Sequence, residues 1–190
     1  VPDDRAKLEA CLISASKKAD VIITTGGVSV GEADYTKEIM KKLGDVEFWK
    51  IAMRPGRPMA FGQIFKNSKQ NKSTKVLLFG LPGNPVAVMV TFYVFVRQAL
   101  ILMSGSINEE LKFQYVTLAE KINKKPGRTE YRRAKLKCKN GKLEASLTGS
   151  QGSGILRSMS EADCLLVLDH DEELLEIGTS VPAMVFNGLV

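Results

Sequence analysis

The spacing of apolar residues divides the chain into two parts, and the first of them alternates helices with strands. Apolar residues recur at helical intervals over 4–18, and Asp3 or Asp4 can cap the start of that helix. Residues 21–24 form a continuous β-branched run, typical of a parallel strand buried on both faces. Further predicted elements are helix 35–43, strands 46–52 and 58–64, a polar loop 66–74, strand 75–79 and helix 85–103. This order predicts an α/β fold with a mostly parallel, doubly wound sheet.

The pattern changes after Ser104 to short strands separated by turns. These strands are predicted near 113–119, 129–138, 142–148, 163–168 and 179–186, and no helix longer than a turn or two is expected among them. We therefore expect an α/β domain over 1–105 and a small all-β, barrel-like domain over 106–190.

The predicted helix 85–103 is apolar enough over its length for a membrane span to be considered. Arg97 and Gln98 lie within it, its flanks are short, and the preceding strand–helix pattern offers another explanation. We interpret it as a helix buried in the core or in a subunit interface, and expect no membrane association.

The amino-acid composition limits the catalytic groups and metal sites that the chain can offer. The three cysteines, Cys11, Cys138 and Cys164, are widely spaced and form no C-x-x-C pair, so neither a disulfide framework nor a zinc site is predicted and a reducing compartment fits best. The single histidine, His170, lies in an acidic run and is expected to be solvated. The chain begins at Val1 without a leader pattern, which we interpret as a fragment of a longer protein. Catalysis would have to use carboxylates, cations and backbone dipoles.

The net charge of +6 is unevenly distributed. Residues 121–142 carry ten basic residues and one acid, whereas 161–176 carry seven acids and no Lys or Arg. A basic strand face is more often solvated than functional. Because no row of stacking aromatics and no reading helix accompanies it, nucleic-acid binding is not expected.

The segment 25–34 joins a predicted strand to a predicted helix and is rich in glycine. Free backbone N–H groups and the helix dipole favour an anion at such a junction. Gly26 and Gly31 have the spacing of an ATPase P-loop, but Glu32 and Ala33 replace its Lys-Ser/Thr, which contradicts that function. The alternative is a tight turn that happens to contain several glycines.

Asp34 has two interpretations. It stands immediately before the predicted helix, where aspartate is a good N-cap, and this is the interpretation that the residue alone favours. A carboxylate beside a phosphate pocket could instead hold Mg²⁺ or a proton.

Two arginines, Arg54 and Arg57, lie three residues apart on a stretch stiffened by Pro55 and Pro58. Paired guanidinium groups of fixed direction suit an oxyanion, which they can bind through bidentate hydrogen bonds. The alternative is a surface turn with two solvated arginines.

A second strand–helix junction occurs at 81–85, with the sequence Leu-Pro-Gly-Asn-Pro. Asn84 is a natural N-cap and Pro85 suits the first helical position. Since ligands of open α/β sheets bind at the carboxyl ends of parallel strands, we expect this loop and the first one to face the same ligand.

Taken together, four motifs resemble the MoeA family of molybdopterin molybdenumtransferases, which is related to the E domain of gephyrin. They are Gly-Gly-Val-Ser-Val-Gly-Glu-Ala-Asp-Tyr at 26–35, Phe-Trp-Lys at 48–50, Arg-Pro-Gly-Arg-Pro at 54–58 and Leu-Pro-Gly-Asn-Pro at 81–85. Residues 127–133 and 149–159 resemble that family's C-terminal β domain, so the likeness covers nearly the whole chain. It implies a molybdopterin-binding domain that lacks its N-terminal part, followed by the β domain.

The resemblance also implies an activity. Members insert molybdate into the dithiolene of adenylylated molybdopterin with Mg²⁺, releasing AMP, and act as cytoplasmic homodimers on small-molecule substrates. Other site residues of the family belong to domains outside this chain, so the fragment alone is expected to turn over poorly. The alternative is a non-catalytic molybdopterin-binding or gephyrin-like scaffold module.

Site residues follow from the same resemblance. Asp3 and Asp34 match functionally important aspartates, and Asp34 is also the tentative Mg²⁺ ligand. The expected phosphate and substrate contacts are Gly26, Gly27, Ser29, Gly31, Pro82, Gly83, Asn84 and Pro85. The expected molybdate contacts are Arg54, Arg57, Pro58, Arg128 and Ser153. Arg54 and Arg57 stand where related proteins often have lysines, which keeps the charge but changes the hydrogen-bond geometry.

Overall fold

The computed structural model describes residues 4–28, 34–65, 75–106 and 113–186. Contacts between residues divide the chain into two compact units. The first comprises Val1–Ile51 and Gly56–Asn84, and the second comprises Ala52–Pro55 and Pro85–Val190.

The elements of the first unit follow the predicted order. They are α1 (Arg5–Ser16), β1 (Val21–Thr25), α2 (Asp34–Leu43), β2 (Gly44–Lys50), β4 (Pro58–Phe65) and β5 (Lys75–Leu81), while β3 (Met53–Arg54) belongs to the second unit. Asp4 is the N-cap of α1, and its carboxylate accepts a hydrogen bond of 2.9 Å from the Lys7 N–H. The helical spacing and the cap therefore predicted this helix correctly.

The sheet of the first unit is mixed, which corrects the expected mostly parallel, doubly wound arrangement. Its strand order is β1-β5-β4-β2. Only β1 and β5 are parallel, whereas β4 is antiparallel to both β5 and β2. Parallel neighbours need a crossover connection, usually a helix, and no helix is described between β2 and β5. The chain therefore reverses direction at β4.

One face of this sheet forms the core with the two helices. The buried residues of the core cluster come from α1, α2, the loop after β1 and one face of all four strands, and they are Leu12, Ile22, Val28, Ile39, Met40, Val46, Ala60, Ile64, Val76 and Leu78. On the other face, Ile23 is 41% exposed and Phe61 is 42% exposed. The expectation that β1 is buried on both faces was wrong, because within this unit the described helices pack on one face only.

The second unit contains a closed barrel, which confirms the predicted small β domain. The part of this unit that follows Ser104 consists of β6 (Gln114–Leu118), β7 (Ile122–Asn123), β8 (Thr129–Lys139), β9 (Lys142–Leu147), α5 (Leu156–Ser160), β10 (Cys164–Leu168), β11 (Leu174–Leu175) and β12 (Ser180–Val185). The strand order β10-β12-β6-β9-β8 closes because β8 also pairs with β10. Closure leaves these strands without a free sheet edge.

β3 extends this sheet at one point. Met53 pairs with Thr129 and Arg54 with Glu130, at the start of β8, whereas β9 pairs with β8 only from Ala134 onward. The short β3 thus occupies a stretch of β8 that β9 does not reach.

The long apolar helix also belongs to the second unit. It consists of α3 (Pro85–Thr91), a π-helical segment Phe92–Val96 and α4 (Arg97–Met103). An 18-residue stretch of this helix has a mean hydropathy of 2.0, and 28% of that stretch is buried. The expected burial is therefore met only in part. By length and composition it could cross a bilayer, but helices of soluble proteins pass the same test, so this is weak evidence.

The division into domains stays a prediction. Contacts group the helical residues 85–103 with the barrel, whereas the sequence pattern joined them to the preceding strands. In this structure α3 packs against α5, and Tyr93 stacks on Phe186 with ring centroids 6.0 Å apart.

Replacing Gly62 by alanine should strongly destabilise the first unit. A Cβ atom there would lie 2.1 Å from the carbonyl oxygen of Asp45 and 2.6 Å from the Cα of Val46, both in the backbone of β2. Because neither atom can move without breaking the strand pair, we expect a loss of about 3 kcal/mol or more. Urea unfolding followed by the fluorescence of the single tryptophan, Trp49, measures this.

Gly83→Ala is the matched control. A Cβ atom at Gly83 would make an ordinary contact of 3.5 Å with the Cα of Gly26, so its effect should stay below about 1 kcal/mol. Equal unfolding midpoints for the two variants would contradict the proposed strand contact.

Candidate functional site

Two of the predicted ligand loops meet at the carboxyl edge of the first sheet. Thr25 pairs with Leu81 at the ends of the parallel strands β1 and β5, so the segments that follow leave from the same edge. The Gly26 N–H donates a hydrogen bond of 3.0 Å to the Leu81 carbonyl. A Cβ atom on Gly83 would lie 3.5 Å from the Gly26 Cα. The structure therefore brings together loops that are more than fifty residues apart in the sequence.

The first loop needs its glycines. Gly26 has a φ of +85° and Gly27 a φ of +71°, in the left-handed region that side chains with a Cβ rarely adopt. A Cβ on Gly27 would also lie 3.2 Å from the side chain of Thr36 on α2. These values show that the backbone turns sharply after β1, and glycine is the residue that permits this turn.

Two polar side-chain atoms at this edge are buried without a partner among the described residues, namely Thr24 Oγ1 and Asn84 Oδ1. Pro85 is the first residue of α3, as predicted. The cap hydrogen bond that was expected of Asn84 is not formed, since its amide oxygen accepts none. Buried polar groups are usually satisfied, so unpaired ones beside a glycine loop are candidate contacts for a bound molecule.

The same edge carries two residues of the arginine motif. Trp49 pairs with Met59 and Lys50 with Pro58, which places the end of β2 and the start of β4 at the carboxyl edge of β5. Arg57 precedes β4 and is exposed. Pro58 and Arg57 thus belong to the edge that also carries the two glycine loops.

Some predicted residues are not tested by the structure. Asp3, Ser29 and Gly31 lie outside the described residues. Asp34 is the first residue of α2, and only its backbone position is described. Within the described ranges, three or more His, Cys, Asp or Glu side chains nowhere converge as metal ligands. The described residues therefore provide no protein cage for Mg²⁺.

A second candidate feature is a small open cavity in the barrel unit. It has a volume of about 60 Å³ and is lined by Arg54, Pro55, Glu130, Tyr131, Arg132 and Gln151. That is enough room for a small ion or a few water molecules. The pairing of β3 with β8 delivers Arg54 to this cavity, because it sets Arg54 opposite Glu130.

The cavity has two cations and one buried carboxylate. Arg132 donates to one Glu130 oxygen through Nε at 2.8 Å and Nη2 at 2.7 Å. Arg54 Nη1 lies 3.5 Å from the other carboxylate oxygen, and its side chain is 58% exposed. Glu130 thus holds both guanidinium groups while neutralising only one positive charge. The remaining charge suits an anion.

Tyr131 also lines the cavity. Burial raises the pKa of its hydroxyl above the ordinary value. Burial and the nearby Asp163 likewise raise the pKa of the Cys164 thiol to about 12, so this thiol is unsuited to nucleophilic catalysis.

Of the residues predicted to bind molybdate, Arg54 lines the cavity. Arg128 is half-buried and Ser153 is exposed, and neither lines it. The sequence analysis missed Arg132, Gln151 and Glu130. A signal was available: in the strand predicted over 129–138, residues 130 and 132 are two apart and lie on the same side, so an acid and an arginine there can pair.

The basic segment is less solvated than the sequence suggested. Lys124 is buried, and its ammonium donates to the carbonyl oxygens of Asp169 at 2.6 Å, Glu172 at 2.7 Å and His170 at 3.3 Å. This lysine fixes the acidic loop to the barrel. His170 is exposed and pairs with Asp171, as expected of a solvated residue.

Comparison with known families identifies the family to which the chain belongs. A family model described as a probable molybdopterin binding domain matches residues 1–101, more than half of the chain. A second model, the MoeA C-terminal region (domain IV), matches residues 115–186 and so covers the barrel. The chain belongs to the MoeA family.

Individual proteins agree with this assignment. The molybdopterin molybdenumtransferase of Haemophilus influenzae is 35% identical over 192 residues, which cover 100% of this chain and 45% of that protein. Gephyrin of Dictyostelium discoideum is 36% identical over 200 residues, covering 97% of this chain and 28% of that protein. A molybdenum cofactor biosynthesis protein from Pyrococcus furiosus matches with a TM-score of 0.70 and 25% identity, over 98% of this chain and 56% of its own. The chain thus spans less than half of the two curated MoeA-type relatives.

Glu130→Gln should destabilise the barrel unit. The substitution leaves the half-buried Arg132 without the buried carboxylate of Glu130, and the loss of one partner of a largely buried ion pair is costly. We expect a decrease of about 2 to 4 kcal/mol in the free energy of unfolding, measured by urea denaturation.

Glu161→Gln is the matched control, because Glu161 forms an exposed pair with Arg157 one helical turn away. Its melting temperature should equal that of the unchanged chain. If Glu130→Gln also kept the melting temperature of the unchanged chain, the ion pair between Glu130 and Arg132 would not stabilise the barrel unit.

Proposed function

We propose that this chain supplies the nucleotide-binding loops and the molybdate site of a molybdenum insertion reaction, in which molybdate enters the dithiolene of adenylylated molybdopterin and AMP is released. The observation that carries the proposal is the meeting of the Gly26 and Gly83 loops at one sheet edge, beside two unpaired buried polar atoms. Membership of the MoeA family and the transferase names of its relatives support it.

The first unit would bind the phosphorylated pterin nucleotide. Backbone amides of the loops after β1 and β5 would donate to phosphate oxygens, as free N–H groups at strand–helix junctions do. In this proposal Gly26, Gly27, Ser29 and Gly31 form the first cradle, to which Gly26 contributes its sharp turn rather than its N–H, since that N–H donates to the Leu81 carbonyl. The second consists of Pro82, Gly83, Asn84 and Pro85, in which the unpaired Asn84 oxygen would accept a hydrogen bond from the ligand.

The second unit would bind molybdate through fixed cations. Arg54 keeps N–H donors free, because one guanidinium nitrogen points at Glu130 and the side chain is largely exposed. Arg132, which also lines the cavity, would complete the set of donors. Arg57, Pro58, Arg128 and Ser153 remain further candidates from the family resemblance.

The chemistry asked of these residues is positioning and charge neutralisation. Fixed donors in each unit would hold the phosphate or the oxyanion in place without ordering at the time of binding, and would stabilise the charge that develops. Mg²⁺, when bound, would neutralise phosphate charge, with Asp34 as its ligand and Asp3 as a second carboxylate. No covalent nucleophile is required.

The remaining expectations concern the whole protein. We propose that it acts as a cytoplasmic homodimer on small-molecule substrates, without nucleic-acid or membrane partners. A scaffold module that binds molybdopterin without turnover is the second candidate, favoured by the match to gephyrin.

AMP release by the full-length protein separates the two functions. The protein is given adenylylated molybdopterin with and without molybdate, and AMP is measured by chromatography. Release that depends on molybdate is the expected result. Tight binding of the nucleotide with no AMP release in either condition would favour the scaffold.

Asp34→Asn in the full-length protein should abolish molybdenum insertion and leave thermal stability nearly unchanged. The reason is that a neutral amide still caps a helix but cannot carry the negative charge that a metal or a proton requires. Asp45→Asn, an exposed aspartate of β2 in the same unit, is the control and should keep full activity. Full molybdenum insertion by Asp34→Asn would instead assign that residue to helix capping, a role that asparagine can also fill.

A further inference from the structure

Trp49 is the single tryptophan of the chain, and its side chain is 58% exposed. Tryptophan is highly buried on average in folded proteins, because a large ring left in water gives up the free energy that its burial would supply. Within the described residues, no aromatic ring stacks on this indole and no cation lies over it. The indole therefore keeps apolar surface that a bound molecule can cover.

The alternation of β2 places Trp49 on the face of the first sheet that lies away from the core. Its neighbour Phe48 packs against the core cluster, and consecutive residues of a strand point to opposite faces. Trp49 pairs with Met59, so Phe61 is its diagonal neighbour on the same face. The Phe61 ring lies 4.9 Å from that of Phe79. The surroundings of the indole are thus apolar and aromatic.

Trp49 also lies in the last row of the sheet before the ligand loops begin. Its partner Met59 is followed by Ala60, which pairs with Gly80. Gly80 directly precedes Leu81, the last residue of β5. The backbone of Trp49 is therefore about 10 Å from Leu81, since two strand spacings separate them across the sheet. A nucleotide whose phosphate is held by the loop after β5 is long enough to reach the indole with a ring.

An exposed cation lies diagonally beside the indole. The Ile51 N–H donates a hydrogen bond of 2.8 Å to the Arg57 carbonyl, which continues the pairing of β2 and β4 by one residue beyond Lys50. Arg57 is two residues from Met59 and therefore shares the face of Trp49. Diagonal neighbours are within reach of aromatic and long side chains. An aromatic face beside a guanidinium suits a planar ring system that carries phosphate.

We propose that Trp49 binds the substrate by stacking its indole on a heteroaromatic ring of adenylylated molybdopterin. The identity of this substrate rests on the function proposed above. The molecule contains two such rings, the adenine and the pterin, and an aromatic side chain offers the same stacking chemistry to both. Trp49 contributes to affinity for the nucleotide and has no contact with the molybdate oxygens.

The test compares Trp49→Leu with Trp49→Phe in the full-length protein. Leucine keeps an apolar side chain without an aromatic face, whereas phenylalanine keeps a smaller one. In the AMP-release assay, Trp49→Leu should raise the KM for adenylylated molybdopterin about tenfold and Trp49→Phe no more than about threefold. The value of kcat should stay within about twofold, because stacking is shared by the ground state and the transition state. The KM for molybdate, which has no ring, should not change.

Two titrations identify the ring. AMP carries the adenine alone and molybdopterin carries the pterin alone, and each is titrated against the unchanged protein and Trp49→Leu. Weaker binding of AMP assigns the adenine, and weaker binding of molybdopterin assigns the pterin. Fluorine NMR of protein labelled with fluorotryptophan gives the same answer if Trp49→Leu fails to fold. The signal of position 49, identified by its absence from Trp49→Phe, should shift when the stacking ligand is added.

Tyr115→Leu is the matched control, because Tyr115 of β6 is an aromatic residue with 74% exposure outside the candidate sites. It should match the unchanged protein in both KM values and in both titrations.

An unchanged KM for the nucleotide in Trp49→Leu, equal KM values for the leucine and phenylalanine variants, or unchanged affinity for both AMP and molybdopterin would each overturn the proposal. If the unchanged protein releases no AMP, the proposed function fails. Stacking is then decided by the titrations and the fluorine signal alone. Weaker binding of either ligand by Trp49→Leu, with a shifted signal, supports it, and the absence of both effects overturns it.

Discussion

The buried carboxylate of Glu130 is the interaction on which the barrel unit's candidate site depends. A carboxylate removed from water must be paired, and Glu130 is paired through both oxygens, with Arg132 at 2.7 Å and Arg54 at 3.5 Å. The pairing of β3 with the start of β8 makes this possible, because it delivers Arg54 from a distant part of the sequence. One acid therefore fixes two cations, and the excess positive charge remains beside an open cavity.

The first unit favours an anion by a different physical means. Its candidate ligand edge is built from backbone rather than from charged side chains: two strand ends in register, two loops in close approach and glycines with positive φ. Backbone amides suit a phosphate because several can converge on one oxygen without the repulsion that several cations would suffer. Fixed guanidinium groups suit a compact oxyanion, which they can meet with paired hydrogen bonds. The two units thus offer different chemistry to different anions.

Much of this could be predicted from local sequence. Hydrophobic periodicity located α1, α2 and the longer strands but not the two-residue strands β3, β7 and β11. The turn-rich second half predicted a barrel-like domain, because both signals depend on neighbouring residues. Strand direction could not be predicted in this way, since a strand has the same alternation in either orientation. For that reason β4 was assigned to a parallel sheet although it runs antiparallel to β5.

In the candidate site, too, the residues with a local sequence signal were predicted and those placed by long-range contacts were not. The glycine loops and Arg54 were found because motifs signal them locally. Arg132 and Gln151 were missed because their place depends on two long-range events, the addition of β3 to β8 and the folding of the loop 148–152 onto Arg133. The number of charges in the basic segment also failed to predict that Lys124 and Arg133 are buried. Backbone carbonyls accept hydrogen bonds from both side chains in the interior.

Arginine at position 54, where related proteins often have lysine, fits this geometry. A lysine ammonium is a compact point charge, and an ammonium drawn to Glu130 would offer its remaining protons over a small volume. A guanidinium carries five N–H donors in a rigid plane, so Nη1 can face Glu130 at 3.5 Å while other donors remain directed elsewhere. The substitution thus lets one side chain join a buried ion pair and still present donors to a ligand. The exposure of 58% for Arg54, against 17% for Arg132, indicates which of the two arginines keeps its donors available.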